Sequence, residues 1–202
     1  NDDSYNLIMS HKEFIESQGV KFILIEESKK SKAGIPVAWN LGLEVSECDV
    51  VAILNADDFY TTTNVMSRVL EYFNDDKCSI LSGAIQYTNE SKQIANRSQY
   101  LFPFLNPCNH PATFVSKKLY DEIGNYNTSY IVSADYEFLY RAFSLGYKLI
   151  VDNSIHVSMS PGGFASQNKK IGRYESYKIA SNYSKFKIFP GLAYILRFLF
   201  RR

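Results

Sequence analysis

Three short stretches of this 202-residue chain gather side chains able to do chemistry. The first, Leu54-Asn55-Ala56-Asp57-Asp58, ends an apolar run with an acidic pair. Carboxylate oxygens at the end of a buried strand suit Mg²⁺ or Mn²⁺, hard cations that bridge protein carboxylates to substrate phosphates. A surface turn is the other use of such a pair, because acidic residues commonly begin helices. The second stretch, Ser133-Ala134-Asp135-Tyr136-Glu137, puts two acidic residues at the start of an otherwise apolar helical pattern. The helix dipole alone favours carboxylates there. Held inside a cleft, such a carboxylate can take a proton from an attacking hydroxyl. The third, residues 160–166 (SPGGFAS), contains a glycine pair whose backbone can approach a diphosphate closely, although an ordinary turn has the same composition. His110 and His156 share no metal-ligand spacing with another histidine, and a hydrogen-bonded structural role competes with a ligand role for each.

These stretches need a scaffold, and the apolar pattern supplies one. Residues 21–26 (KFILIE) form a short apolar run bounded by Gly19 and a polar stretch, and are expected to be a buried strand. Over Ile35–Val45, Ala38, Leu41 and Val45 recur at helical spacing, with Pro36 where a first turn tolerates it. Residues 49–55 (DVVAILN) read as a strand covered on both faces that runs directly into Asp57 and Asp58. A helix over 64–73 and a strand over 79–87 follow. Residues 88–108, polar and aromatic with Pro103 and Pro107, are expected to form a loop over the site. A strand at 112–115, helices at 117–123 and 136–145 closed by Gly124 and Gly146, and a strand at 148–151 come next. Helical and apolar patterns at 168–184 and 191–202 finish the chain, with no internal repeat and no second domain. Alternating strands and helices predict an α/β sheet, and open sheets of that class bind ligands beyond the carboxyl ends of their strands.

Composition narrows the classes further. A hydrophobic content of 46% is ample for one packed domain. The formal net charge of +1 supplies no field that would draw nucleic acid, so no nucleic-acid partner is expected. Cys48, Cys78 and Cys108 form no CxxC pair and leave one unpaired under any disulfide scheme, which favours a reducing compartment. No apolar run reaches the roughly 18 residues needed to span a bilayer, and no basic-start signal peptide opens the chain. A soluble or peripheral cytoplasmic protein is therefore expected. No GxGxxG follows a strand, against a Rossmann-type dehydrogenase. Position 1 is an asparagine, and residues 1–4 read as a loop leaving a strand that the chain lacks, so a fragment without its first segments is expected.

The order and spacing of these features resemble the inverting family-two glycosyltransferases of the GT-A fold, along nearly the whole chain. Asn1-Asp2-Asp3-Ser4 looks like that family's NDGSTD loop, which implies that Asp2 contacts the nucleotide base; Asp3, Tyr5 and Asn6 stand where glycine, threonine and aspartate are usual. Gly34, Ala38, Asn40 and Gly42 match the G-x-x-x-A-x-N-x-G segment beside the nucleotide site. Asn55-Ala56-Asp57 corresponds to the DxD motif, with Asp57 at the metal-binding position and Asn55 replacing the first aspartate. Residues 110–124 (HPATFVSKKLYDEIG), followed by Tyr126, Asn127 and Tyr130, are similar to the acceptor-side segment ahead of the catalytic acidic motif. Asp135 falls at the base position, Ala134 replaces the usual glutamate, and Arg141 matches an arginine common in the next helix. His110, Ala134 and Tyr136 are implied on the acceptor side, and Gly162, Gly163 and Ser166 in the loop that closes near the donor diphosphate.

The resemblance implies an α/β protein of the GT-A fold, a Rossmann-like mixed sheet flanked by helices. Residues 1–188 would be the catalytic domain lacking its first strands, and 189–202 a C-terminal amphipathic or apolar helix. It implies hexosyl or N-acetylhexosaminyl transfer with inversion from a nucleotide-diphosphate sugar, assisted by Mn²⁺ or Mg²⁺, to a glycan or lipid-linked glycan acceptor. Cell-surface polysaccharide or glycolipid synthesis is the expected setting. The segment 189–202 (FPGLAYILRFLFRR) either lies in the interface of the inner membrane face or packs on the domain or in a dimer. Asn55 and Ala134 leave a second reading open, a noncatalytic nucleotide-sugar-binding or scaffold protein of the same fold. Retention of both Asp57 and Asp135 favours the enzyme.

Overall fold

The computed structural model describes residues 3–26, 34–74, 77–88, 90 and 93–199. The chain divides into two compact units, Asn1–Ala33 and Gly34–Arg202. The first unit holds helix α1 (Ser4–Ser17), none of whose residues is buried. The sequence predicts a loop over residues 1–4, but Ser4 is already helical. The strand expected over 21–26 is not formed: Ile23, Leu24 and Ile25 are exposed and no described strand pairs with them. An apolar run becomes a strand only where a neighbour completes its hydrogen-bond ladder, and among the described residues no strand does so here.

The second unit is built on a mixed sheet. Its strands are β1 (Val50–Ala52), β2 (Phe59–Tyr60), β3 (Ile80–Tyr87), β4 (Gln93–Ile94), β5 (Thr113–Ser116) and β6 (Leu149–Met159). They lie in the order β1-β5-β3-β6-β2, with β4 on β3; β3 and β6 are parallel and every other pair is antiparallel. Around the sheet stand α2 (Ile35–Val45), α3 (Val65–Phe73), α4 (Lys117–Ile123), α5 (Ala134–Ser144), the short α6 (Phe164–Gln167), α7 (Lys169–Tyr183) and α8 (Ile188–Leu199).

The centre of the sheet is β3, whose residues Ile80 to Ile85 are all buried. On β6 the register slips: Ser82 faces Val151 but Ala84 faces His156, so Gly83 alone spans what residues 152–155 span on its neighbour. This bulge explains why β6 extends far past the expected 148–151. The polar Asp-Asn-Ser at 152–154 looks like the end of a strand but is a kink within one. Asp152 is used there, accepting from Arg68 at 3.2 Å and Tyr72 at 3.1 Å. The main core lies where α4, α5 and α7 cover the sheet, and its aromatic rings stack, as with Phe102 on Tyr140 (5.2 Å) and Tyr120 on Phe138 (4.5 Å).

Helix limits follow local chemistry. Ser116 caps α4 by accepting the N–H of Leu119, and Gly124, at φ 86°, ends it in a conformation that glycine adopts without strain. Among the described residues, no helix is long and apolar enough to cross a membrane. Helix α8 packs on α7 through Tyr194 and Tyr177, whose ring centroids are 5.0 Å apart. Its residues Ile188, Leu192, Ile195 and Leu199 are exposed along one stripe. None of the three cysteines forms a disulfide: Cys48 is exposed, Cys78 and Cys108 are buried.

Candidate active site

Strand β1 ends at Ala52, and the chain turns at residues 55–58 before entering β2. The turn is closed twice, by the N–H of Asp58 donating to Asn55 O at 3.1 Å and by Asn55 Nδ2 donating to Asp58 Oδ2 at 2.8 Å. Asp57 is left exposed, while Asp58 is 7% exposed with its Oδ1 enclosed and unpartnered. Burial raises the Asp58 carboxyl above its ordinary value, and the Asn55 amide opposes that rise.

Pairing of β2 with the end of β6, Phe59 opposite Ser158, brings the glycine-rich loop to this turn. Ser160 Oγ donates to Asp57 O at 3.3 Å, and Gly162 follows at φ 91°, where a side chain would be strained. Beyond it Gly163 begins α6 and accepts the N–H of Ser166 at 3.0 Å.

The second wall is the start of α5. Ser133 stands at its N-cap, Asp135 and Glu137 lie in its first turn and Arg141 in its last, an order that matches the helix dipole at both ends. The preceding loop is fastened by Glu175 of α7, a buried carboxylate that accepts the N–H groups of Ile131 (2.7 Å), Val132 (2.9 Å) and Ser133 (2.9 Å). Asp135 is half-buried, and its Oδ2 accepts from Asn106 Nδ2 at 2.9 Å.

Asn55, Asp57, Asp58, His110, Ala134 and Asp135 line one cleft of ≈ 440 Å³, together with Gly162, Gly163 and Ser166. Trp39 of α2 lines it too, with the His110 ring stacked on its indole at 4.3 Å and 26°. The Nε2 of His110 is enclosed without a partner, and burial pushes the imidazole below its ordinary value against the pull of Asp135 and Asp58. Another cavity, of ≈ 510 Å³, is lined by Cys48, Lys117 and Asp121 and holds none of the expected site residues. Lys117 there is already paired with Asp121.

Some expected site residues stand elsewhere. Asp2 lies outside the described residues. Gly34 directly precedes Ile35 and Pro36, which line the cleft, whereas Ala56 is exposed in the turn. Asn40 brackets the backbone of Tyr126, donating to its O at 2.9 Å and accepting its N–H at 3.0 Å. Tyr136 is 1% exposed, packed among Phe102 and Tyr140 with its hydroxyl on Phe102 O, and does not line the cleft. Its place one residue after Asp135 on a helix turns it towards the core. Arg141 pairs with Glu137 at 3.2 Å and binds the carbonyls of Ile123, Gly124 and Asn125, tying α5 to the end of α4. Asn106 and Glu175 were not singled out in the sequence, where neither carries a local signature.

The donor set at residues 55–58 suits a hard cation, with two carboxylates on the cleft and no thiol among its lining groups. Among the described residues, no group of three or more His, Cys, Asp or Glu side chains converges as a metal cage. A cation bound there would take most of its ligands from outside the protein.

Comparison with known proteins agrees with this geometry. The fold is similar to that of the mannosyltransferase PcManGT from Pyrobaculum calidifontis in complex with GDP-Man and Mn²⁺, with a TM-score of 0.70 at 14% identity over 98% of this chain and 58% of that one. It is also similar to S. aureus TarS 1–349, with a TM-score of 0.62 at 11% identity over 96% of this chain and 57% of that one. The same TarS segment in complex with UDP-GlcNAc gives 0.61 at 10% identity, over 96% of this chain and 58% of that one. The chain thus spans less than two thirds of the solved chains it matches, and the likeness establishes a GT-A fold. No curated protein matches it significantly. Residues 1–145 match the family described as Glycosyl transferase family 2, and that stretch includes the turn at 55–58 and the start of α5. Motif order, sheet and sequence family therefore agree, and the chain belongs to glycosyl transferase family 2.

Proposed function

We propose that the chain transfers a sugar from a nucleotide-diphosphate sugar to an acceptor hydroxyl with inversion. The observation that carries this reading is that Asp57 and Asp135, on separate elements, line the same cleft. The acceptor hydroxyl lies against Asp135, which takes its proton as the hydroxyl oxygen bonds to the anomeric carbon. The bond from that carbon to the diphosphate breaks on the opposite face, so one displacement inverts the centre without a covalent sugar intermediate. Gly162 and Gly163 let the backbone approach the diphosphate, and Asn55 holds Asp58 in place beside it. Asp57, with Asp58 beside it, would hold Mn²⁺ or Mg²⁺, which neutralises charge developing on the leaving diphosphate.

In this reading residues up to 188 carry transfer, and the acceptor is a glycan or lipid-linked glycan of a cell-surface polysaccharide or glycolipid. The apolar stripe of α8, with Lys185 and Lys187 just ahead of it, rests against the inner membrane face. PcManGT was solved with GDP-Man and Mn²⁺ and TarS with UDP-GlcNAc, which supports a hexose or N-acetylhexosamine donor. The test is nucleotide release by the purified chain from a panel of nucleotide sugars with candidate glycan acceptors, with and without Mn²⁺. Acceptor-dependent release from one donor supports transfer. Saturable donor binding with no release under any condition points instead to a noncatalytic binding protein.

A further inference from the structure

Asn106 stands in the loop ahead of His110, half-buried, and holds two partners at once. Its Nδ2 donates to Asp135 Oδ2 at 2.9 Å, and its Oδ1 accepts the main-chain N–H of Cys108 at 3.1 Å. A main-chain N–H can only donate, so the amide atom facing it must be the oxygen, and the atom facing Asp135 is then the NH₂. The amide cannot turn over without losing both bonds. The loop carrying it is itself fixed: Arg97 N–H donates to Pro107 O at 2.9 Å, and Asn109 Nδ2 donates to Ile94 O at 2.9 Å.

The titratable groups that feel Asp135 offer it no comparable donor. Burial pushes the Cys108 thiol and the Tyr126 phenol up and the His110 imidazole down, so all three are neutral near pH 7. On α5 itself, Glu137 and Arg141 neutralise each other at 3.2 Å. Asp58, a buried carboxylate of the same cleft, acts on His110 as Asp135 does. A donor locked onto one carboxylate oxygen favours the ionised form and fixes the plane of the group.

We propose that Asn106 is a positioning residue for transfer: its locked amide fixes the plane of the Asp135 carboxyl group and turns the other oxygen, Oδ1, towards the acceptor hydroxyl. This rests on the reading of Asp135 as the base.

The discriminating variant is Asn106→Asp. An aspartate there still accepts the Cys108 N–H, so the loop is retained, but it sets a carboxylate oxygen against Asp135 where a donor stood. Asn106→Ala loses both bonds. Carboxyl-carbon NMR of the full chain, labelled at aspartate, follows the titration of Asp135, whose resonance is identified by its absence from Asp135→Asn. In Asn106→Asp that titration moves to higher pH by about one unit or more, with the melting temperature near the parental value. In Asn106→Ala it moves in the same direction by less.

Nucleotide release from UDP-GlcNAc and GDP-mannose gives the kinetic arm. In Asn106→Asp, kcat at pH 6 falls by about tenfold or more, KM for the donor is unchanged, and the acid limb of the pH profile moves upward. An Asp135 titration and pH profile in Asn106→Asp that superimpose on the parent overturn the positioning role. If those profiles are parental while Asp135→Asn abolishes release, only the positioning role fails. Full release by Asp135→Asn overturns the positioning role and the base assignment together.

Discussion

Glu175 and Ser133 meet at 2.9 Å, where a carboxylate of α7 accepts the N–H of the residue that caps α5. The start of the helix that carries Asp135 is thereby set by an element remote in sequence. Because the same carboxylate also accepts from Ile131 and Val132, it fixes the backbone that enters α5, whose N-cap Ser133 makes no side-chain bond to its own helix.

Replacing Glu175 with glutamine leaves an NH₂ facing at least one of these N–H groups. An unsatisfied buried donor costs about 1–3 kcal/mol. In a chain of this length the melting temperature should fall by about 2–4 °C per kcal/mol. Calorimetry of Glu175→Gln checks this, and an unchanged melting temperature would remove Glu175 from the support of the loop.

His110 gives a pH dependence of known sign. Its imidazole is held below its unfolded value of about 6.5, so between that value and the folded one the unfolded chain binds the proton and the folded chain does not. The stability it contributes is present above about pH 6.5 and is lost as the pH falls. Asp58, raised by burial, has the opposite sign, because its proton binds preferentially to the folded chain. Melting of the parent and of His110→Gln at pH 7.5 and 5.5 separates the two: the parent should lose more on acidification than the variant. Equal losses would mean that the ring is not held neutral.

Gly83 sits opposite the bulge of β6, where a Cβ would lie 2.9 Å from Ile155 Cβ and closer still to the Ile155 carbonyl oxygen. Both obstacles belong to Ile155, which is fully buried, and neither its backbone nor its Cβ can swing aside. Gly83→Ala should cost about 1–3 kcal/mol or more, read as a lower midpoint in urea at constant slope. A parental midpoint would show that the β3–β6 pair is looser than its register implies.

Much of this was legible in the sequence wherever the signal was local. Helix α2 begins and ends at the residues its apolar spacing and Pro36 indicate, and α4 ends at Gly124 because the chain needs positive φ there. The acidic turn and the start of α5 were legible as pieces, and their order in the chain pointed to one site. Contacts between distant segments were not legible. The run at 21–26 carries strand composition but pairs with no strand among the described residues, β6 hides its continuation behind a polar bulge, and α1 has no buried face to betray it. Asn40 and Tyr136 stand within the right segments, yet their side chains serve Tyr126 and the aromatic core. Asn106 and Glu175 work only through partners elsewhere in the chain, Asp135 and the backbone at 131–133, and no spacing announces such a meeting.

The division of labour within the cleft is tested most directly by Asp135→Asn, assayed for donor binding and for transfer in the same preparation with Mn²⁺. The substitution keeps the shape of the side chain and removes its ability to accept a proton. Calorimetric affinity for the parent's donor sugar nucleotide should be unchanged, while transfer should fall by about 100-fold or more. Transfer at the parental rate would contradict the assignment of Asp135 as the base.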